Sequence, residues 1–278
     1  MNLLQILLLG VVQGLTEFLP VSSTGHLIVL QHIFEWGDTA KYKSLDIFLH
    51  LPTILAVLVF FRRDIAAVFR DLFAPRAPQD RHAASRLILM IIIGLISTAI
   101  VYFLFKKGCE EFLGKGFEEV FFNNVPLVGA AFIVTALFLA AVSFKREGPL
   151  SEGDLRISHA LLIGIAQGIA ITPGISRSGF TIIAALLIGM KAPAAFRFSF
   201  LLSIPTIILA WLYDALSEPG ALSNLGGEAT PLAATFVITF CLALLAVYIL
   251  RGVILRNRLW LFSLYLIPFG LFTLLYFR

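Results

Sequence analysis

Glu17, Ser23 and His26 stand within ten residues of one another. An acid, an alcohol and an imidazole are the groups that accept a proton, relay it, or attack an electrophile. Gln13 precedes Glu17 by four positions, so on a helix the two share a face. A second polar cluster lies far along the chain: Ser176, Arg177 and Ser178, with Thr181 one turn further. A guanidinium offers a planar fork of donors that suits phosphate oxygens. Ser22, Ser23 and Thr24 follow Pro20, and Ser176, Ser178 and Thr181 follow Pro173. Hydroxyls placed there, just before an apolar run, can cap the N-terminus of a helix. The same geometry gathers free N–H groups into an anion site. For Ser22 and Ser176, capping alone and capping with anion binding are both open readings. Two helix ends and Arg177 meeting at one point would suit a phosphate or diphosphate.

These clusters belong to a repeated segment. Residues 9–26 read LGVVQGLTEFLPVSSTGH and residues 163–180 read IGIAQGIAITPGISRSGF. Gly10, Gln13, Gly14, Ser22 and Gly25 correspond to Gly164, Gln167, Gly168, Ser176 and Gly179. A shorter echo follows each, Leu51-Pro-Thr-Ile-Leu-Ala and Ile204-Pro-Thr-Ile-Ile-Leu-Ala. The copies differ where chemistry is at stake. Ile171 stands where the first copy has Glu17, and Ser23 stands where the second has Arg177. Glu17 could instead be a helix-end charge at the outer surface, and Arg177 simply its structural ion-pair partner.

The elements that must position these residues are membrane helices. Hydrophobic residues make up 59% of the chain and charged residues 14%, well under the roughly 25% usual in soluble domains. Six segments read as full spans: Ile47–Phe61, Leu87–Phe105, Val125–Phe144, Phe198–Tyr213, Pro231–Leu250 and Leu259–Phe277. Ile47–Phe61, with His50 and Pro52, is the weakest. Four runs are too short to cross: Leu3–Leu15, Leu27–Phe34, Ala160–Ile171 and Phe180–Met190. They pair into two re-entrant hairpins, each bent at a polar echo, a form tolerated at membrane depth only inside protein or beside a wet cavity. The expected fold is therefore an all-α polytopic membrane protein of two inverted-topology repeats. Each repeat holds one re-entrant hairpin and three transmembrane helices, a plan that builds sites at the interface between repeats. The 278 residues form one domain, with repeat one over about 1–150 and repeat two over 151–278.

Lys and Arg counts set the orientation. Arg62, Arg63, Arg70, Arg76, Arg81 and Arg86 make the segment 62–86 cytoplasmic, with 74–86 as a loop. Lys145, Arg146 and Arg156 mark a second cytoplasmic loop, and Arg251, Arg256 and Arg258 a third. The loop 214–230 has neither Lys nor Arg and falls outside; Lys41 and Lys43 do not follow the pattern. Both termini come out extracytoplasmic, and the two polar hairpin tips enter from opposite faces to meet mid-membrane. The N-terminus lacks the basic start of a signal peptide, so its first helix is expected to be retained. The net charge of +4 follows from cytoplasmic arginines and implies no nucleic-acid partner. Cys109 and Cys241 are not expected to pair. His32, His50, His82 and His159 read as structural or interfacial, and Asp46 as solvated near a membrane boundary.

Gln13-xxx-Glu17, Pro20-Val-Ser-Ser-Thr-Gly-His26 and Pro173-Gly-Ile-Ser-Arg-Ser-Gly-Phe-Thr181 together resemble the bacitracin-resistance family of undecaprenyl-diphosphate phosphatases. The resemblance implies a multi-pass enzyme of the bacterial inner (plasma) membrane. It would hydrolyse undecaprenyl diphosphate to undecaprenyl phosphate and so recycle the lipid carrier of peptidoglycan and other wall polymers. It further implies a divalent cation, Mg2+ or Ca2+, with Glu17 as metal ligand, a polyprenyl diphosphate as substrate, and a homodimer. The family's first motif opens with Glu or Gln; Gln13 here removes one carboxylate and leaves Glu17 as the acid.

Under that reading Arg177 and the helix N-termini hold the terminal phosphoryl group. Ser23 is the nucleophile, His26 the acid or base, and Glu17 a metal ligand or base. Gln13, Ser22, Thr24, Ser176, Ser178 and Thr181 supply phosphate contacts. Two alternatives stay open. In one His26 attacks phosphorus and Ser23 only binds it; in the other the chain flips or transports polyprenyl phosphate on the same inverted-repeat fold.

Overall fold

The computed structural model describes residues 3–34, 39–145, 148–218, 220, 225 and 229–278, without the side chains at 39–43, 118 and 229. Arg146, residues 219, 221–224 and 226–228 of the loop 214–230, and the side chains of Lys41 and Lys43 lie outside that description. Twelve α-helices are seen among the described residues: α1 Leu3–Thr16, α2 Ser23–Ile33, α3 Thr39–Phe60, α4 Arg62–Phe73, α5 Pro78–Gly108, α6 Phe117–Phe121, α7 Val125–Ser143, α8 Ile157–Ile169, α9 Arg177–Leu187, α10 Ala192–Ser217, α11 Ala229–Leu255 and α12 Trp260–Tyr276.

Four of these, α5, α7, α10 and α11, are long and apolar enough to cross a bilayer. A fifth is gained if α3 and α4, bent by 63° at their junction, count as one span. The expected sixth, α12, has 17 residues, at the short end of what spans ~30 Å at ~1.5 Å per residue. The segment read as weakest, around His50, is in fact a 22-residue helix that carries Pro52 internally. The arginine-rich segment is not a loop beyond Ala77. α4 is helical, and α5 begins at Pro78, where the Asp80 carboxylate accepts from the Ala77 main-chain N–H at 3.0 Å. A proline in the first turn gives up only an N–H that would lack a partner anyway. Charged turns thus extend the apolar helix instead of ending it.

The two hairpins form as expected. α1 has 14 residues, α2 11, α8 13 and α9 11, none long enough to cross. Pro20 and Pro173 sit in the turns, where a missing N–H ends the preceding helix.

Each hairpin packs its first helix against a long helix from the other half of the chain. On α1, Gly10 lies against α11: a Cβ there would stand 2.3 Å from Thr235 Cγ2. On α8, Gly164 lies against α5: a Cβ there would stand 2.4 Å from the Gly94 carbonyl oxygen. Thr239 donates to the Gly10 carbonyl at 2.9 Å, and Thr98 to the Gly164 carbonyl at 3.1 Å. α7 and α12 approach through Gly129 and Gly270, where neither position has room for a methyl group. Small residues at crossings are how membrane helices come close enough for dispersion to hold them. Phe18, Phe61, Phe132, Phe198 and Phe200 fill the centre, while the outer face of α5 shows Leu89, Ile92, Ile96, Ile100 and Phe103. Greasy outside as well as inside, the bundle suits lipid. Cys109 and Cys241 are both free.

Candidate functional site

The hairpin tips touch. Ser22 adopts φ 66° at the head of α2, a left-handed conformation that costs a non-glycine residue about 1–3 kcal/mol and clusters at functional sites. Its hydroxyl makes no cap; instead it accepts from the Gly174 N–H of the second hairpin at 3.0 Å. Ser178 donates back to the Leu19 carbonyl at 3.3 Å. Gly25 must be glycine for this contact, since a Cβ there would fall 2.9 Å from the Gly174 nitrogen and 2.7 Å from a Phe132 ring carbon. Thr135 on α7 braces the far side, donating to the Gly174 carbonyl at 3.0 Å and accepting from the Ser176 N–H at 3.3 Å.

Glu17 is at the centre of the contact, its side chain 2% exposed. Oε1 accepts from Arg177 across the two hairpins. Oε2 accepts from the Ser23 hydroxyl at 2.7 Å and from Gln13 Nε2 at 3.0 Å. The one carboxylate thus takes three donors, which is how a buried charge is tolerated. Arg177 remains 24% exposed. Among the described residues Glu17 is its hydrogen-bond acceptor, so the rest of its donor fork is free for an anion.

The hydrogen bonds separate the expected Ser23–His26 pair. Ser23 gives its proton to Glu17. His26 Nδ1 lies 2.8 Å from the Ser22 carbonyl, which can only accept, so Nδ1 carries the hydrogen. Nε2 then faces the Tyr265 hydroxyl at 2.7 Å as its acceptor. The ring is stacked on Phe269 at 4.7 Å and meets Phe132 edge-on at 5.0 Å. His26 is thereby locked, with both nitrogens engaged.

Of the remaining hydroxyls, Ser176 does cap α9, accepting from the Gly179 N–H at 3.2 Å. Thr181 donates to the Arg177 carbonyl at 2.9 Å and bonds Ser199 of α10. Thr24 joins none of these bonds. Sequence reasoning missed Tyr265, Thr135 and Ser199, polar tips inside apolar runs that no spacing rule singles out. Asp46, expected to be solvated, is only partly exposed, and its Oδ1 is buried without a hydrogen-bond partner. His50 Nδ1 lies 2.8 Å from the Asp46 carbonyl.

No three His, Cys, Asp or Glu side chains gather as a metal site among the described residues. One atom does suit a cation: Gln13 Oε1, buried and without a partner. A hard cation held mainly by phosphate oxygens needs only one or two protein ligands, and Gln13 Oε1 and Glu17 could lend them.

A family model, Bacitracin resistance protein BacA, matches residues 6–272. The chain is 38% identical over 265 residues to the undecaprenyl-diphosphatase of Syntrophotalea carbinolica, covering 95% of both chains. It is 37% identical over 287 residues to that of Desulfosudis oleivorans, covering 99% of this chain and 98% of the other. It is also 44% identical over 214 residues to undecaprenyl-diphosphatase 2 of Stutzerimonas stutzeri, covering 76% and 75%. The match takes in both hairpins and every long helix between them, and the chain belongs to the bacitracin resistance protein BacA family.

Proposed function

We propose that the protein hydrolyses undecaprenyl diphosphate to undecaprenyl phosphate and inorganic phosphate, recycling the lipid carrier of peptidoglycan and other wall polymers and conferring bacitracin resistance. The names of its relatives support this. The observation that carries it is the buried carboxylate of Glu17, shared by an alcohol from its own hairpin and a guanidinium from the other. We place the enzyme in the bacterial plasma membrane with both termini extracytoplasmic, as a homodimer of chains built from two inverted repeats. The crossed packing of α1 on α11 and α8 on α5 supports the repeat.

In this reading Arg177 grips the terminal phosphoryl group, since positioning and charge stabilisation dominate phosphoryl transfer. Ser23 Oγ attacks phosphorus as its proton passes to Glu17 Oε2. The bond to the bridging oxygen breaks, and undecaprenyl phosphate leaves with that electron pair. Water then attacks the phosphoserine and passes one proton to a phosphate oxygen, and Ser23 regains its own from Glu17 as dihydrogen phosphate departs. His26 is a positioning residue: it ties the head of α2 to Tyr265 and so aims Ser23. A divalent cation held by Gln13 and Glu17 would offset charge on the phosphate oxygens.

Phosphate release from farnesyl or undecaprenyl diphosphate by the purified protein in detergent tests the assignment. Release should stop in Ser23→Ala and fall on chelation; release that survives both Ser23→Ala and Arg177→Ala would refute it. The crossed packing also favours a carrier for polyprenyl phosphate, which would move lipid across sealed vesicles without releasing phosphate.

A further inference from the structure

We propose that the corner between α4 and α5 binds the headgroup of an anionic phospholipid, with α4 lying in the membrane–water boundary. This corner shares no residue with the Glu17–Arg177 site. α3 needs no continuation to cross a bilayer: its 22 residues rise about 33 Å at ~1.5 Å each, enough for the ~30 Å hydrocarbon layer. The 63° bend at its end then turns α4 away from the direction of the span. α4 is two-faced. Ile65, Val68, Phe69, Leu72 and Phe73 recur at intervals of three and four, which makes one stripe on a helix. Ile65 and Val68 pack on the core of the bundle. The rings of Phe69 and Phe73, 58% and 71% exposed, stack on each other with centroids 6.2 Å apart. Exposed aromatic rings on one side and arginines on the other suit a helix seated where headgroups meet acyl chains. Both ends of α4 are held for that task. Arg197 of α10 donates through Nε to Asp64 at 2.6 Å, and Arg81 of α5 donates through Nε to the Leu72 carbonyl at 3.0 Å.

Charge specifies the lipid. Residues 62–86 hold six arginines and three aspartates, and each aspartate is already engaged. Asp64 accepts from Arg197, Asp71 pairs with Arg70 at 2.8 Å, and Asp80 accepts from the Ala77 N–H at 3.0 Å. Where α4 gives way to α5 a cleft of about 490 Å³ opens, lined by Pro75, Arg76, Ala77, Pro78, Arg81 and His82. Arg76 and His82 make no hydrogen bond or ion pair among the described residues. Arg81 spends only Nε, so its two terminal nitrogens are left over. A phosphodiester brings one negative charge and oxygens that match a guanidinium fork. Basic clusters on an amphipathic helix beside a span recognise acidic headgroups in this way. A zwitterionic headgroup would bring its own ammonium to a place that already holds arginines. Inorganic phosphate could use the arginines but has nothing to lay against Phe69 and Phe73. A lipid of the phosphatidylglycerol type satisfies both, its phosphate in the cleft and its acyl chains along the two rings.

The test uses the full-length protein in detergent micelles, with dioleoylphosphatidylglycerol as the probe and dioleoylphosphatidylcholine and inorganic phosphate as comparators. Phosphatidylglycerol should raise the midpoint of thermal unfolding, and stay bound in native mass spectra, at mole fractions where phosphatidylcholine does neither. Arg76→Gln combined with His82→Gln breaks no bond within the described protein, so without lipid its unfolding midpoint should match the wild type. With lipid, the mole fraction that gives half of the stabilisation should rise about fivefold or more, as expected when at least one basic group near an acidic headgroup is lost. Phe69→Ser combined with Phe73→Ser should weaken binding of the dioleoyl lipid in the same assay. Equal stabilisation by phosphatidylcholine would overturn the proposal, because charge would then select nothing. So would inorganic phosphate as effective as the lipid, which would make the cleft a free-anion site, and so would unchanged lipid binding in either double variant. Displacement of the lipid by farnesyl diphosphate would give the cleft to a polyprenyl ligand instead and would overturn it equally.

Discussion

Glu17→Gln isolates what the central carboxylate does, because the substitution keeps shape and removes only charge and basicity. In the wild type Oε2 accepts from Ser23 and Gln13 while Oε1 accepts from Arg177. A glutamine can keep its carbonyl oxygen toward Arg177. Its new NH2 would then face Gln13 Nε2, donor against donor. Gln13 can answer by turning its amide over, because its own Oε1 has no partner to lose. The structural loss is therefore confined to the charge component of the Arg177 bond. Hydrogen bonds to charged groups are worth about 1.5–3 kcal/mol, and partial exposure of Arg177 trims that to about 1–2 kcal/mol. Turnover should suffer far more. Ser23 loses the acceptor for its proton, and general-base catalysis contributes about 10²–10⁴-fold, or roughly 2.7–5.5 kcal/mol of barrier. Expected together are a modest drop in unfolding midpoint and a fall in kcat for phosphate release of at least a hundredfold. Activity within tenfold of wild type, in protein that unfolds normally, would refute Glu17 as the base. A matching collapse of stability and activity would show that its role is structural.

Tyr265→Phe leaves His26 Nε2 buried without its donor and should destabilise the protein by about 1–3 kcal/mol. Turnover measured well below the unfolding midpoint should change less than threefold; a tenfold fall would return His26 to the chemistry. Gly25→Ala drives a methyl group into the Gly174 backbone and should abolish activity and most of the folded yield. Gly108→Ala, with open space around it, should be neutral or slightly stabilising in the same thermal assay. In the loop between α7 and α8, Ser151 holds the Asp154 carboxyl below its ordinary value of 3.8 through side-chain and main-chain hydrogen bonds. A depressed acid contributes stability above its unfolded value and loses it as pH falls through the folded one. Ser151→Ala should therefore flatten the decline in unfolding midpoint below about pH 4, and a decline of unchanged steepness would count against the cap.

The meeting of Glu17 and Arg177 was legible in the sequence because charges in apolar segments are expensive and few, so an acid in one hairpin implies a base in the other. The hairpins were legible from runs too short to span, joined by proline. Which acceptor Ser23 uses was not. Spacing puts Ser23 and His26 on neighbouring positions of one turn, but the backbone strain at Ser22 aims Ser23 back at Glu17 and leaves the histidine its own turn's carbonyl. The partly buried setting of Asp46 was not legible for a related reason. Its spacing from His50 shows a shared face of α3, yet says nothing about what that face meets when α3 packs beside α1, α10 and α11. The start of α5 was missed because charge was taken to end a helix, where it only ends the part in lipid.

A charge on an isolated helix at the bilayer centre costs about 2.5–3.5 kcal/mol on insertion scales, and each hairpin of this chain carries a charge at its tip, Glu17 in the first and Arg177 in the second. The first half alone would hold Glu17 with only Ser23 and Gln13 as donors; the second would hold Arg177 with no acid. The neutral contacts are divided in the same way: Ser22 needs the Gly174 N–H, Ser178 the Leu19 carbonyl, and Gly174 the Thr135 hydroxyl. Within one hairpin lie the Ser176 cap, the His26–Ser22 bond, the Thr181–Arg177 bond and the Gln13–Glu17–Ser23 fan; the bonds that join the two tips need both hairpins. Assembly of the two halves and assembly of the site are therefore one event. The same division leaves Arg177 partly exposed at the seam, where a phosphate can reach the guanidinium without unfolding either hairpin.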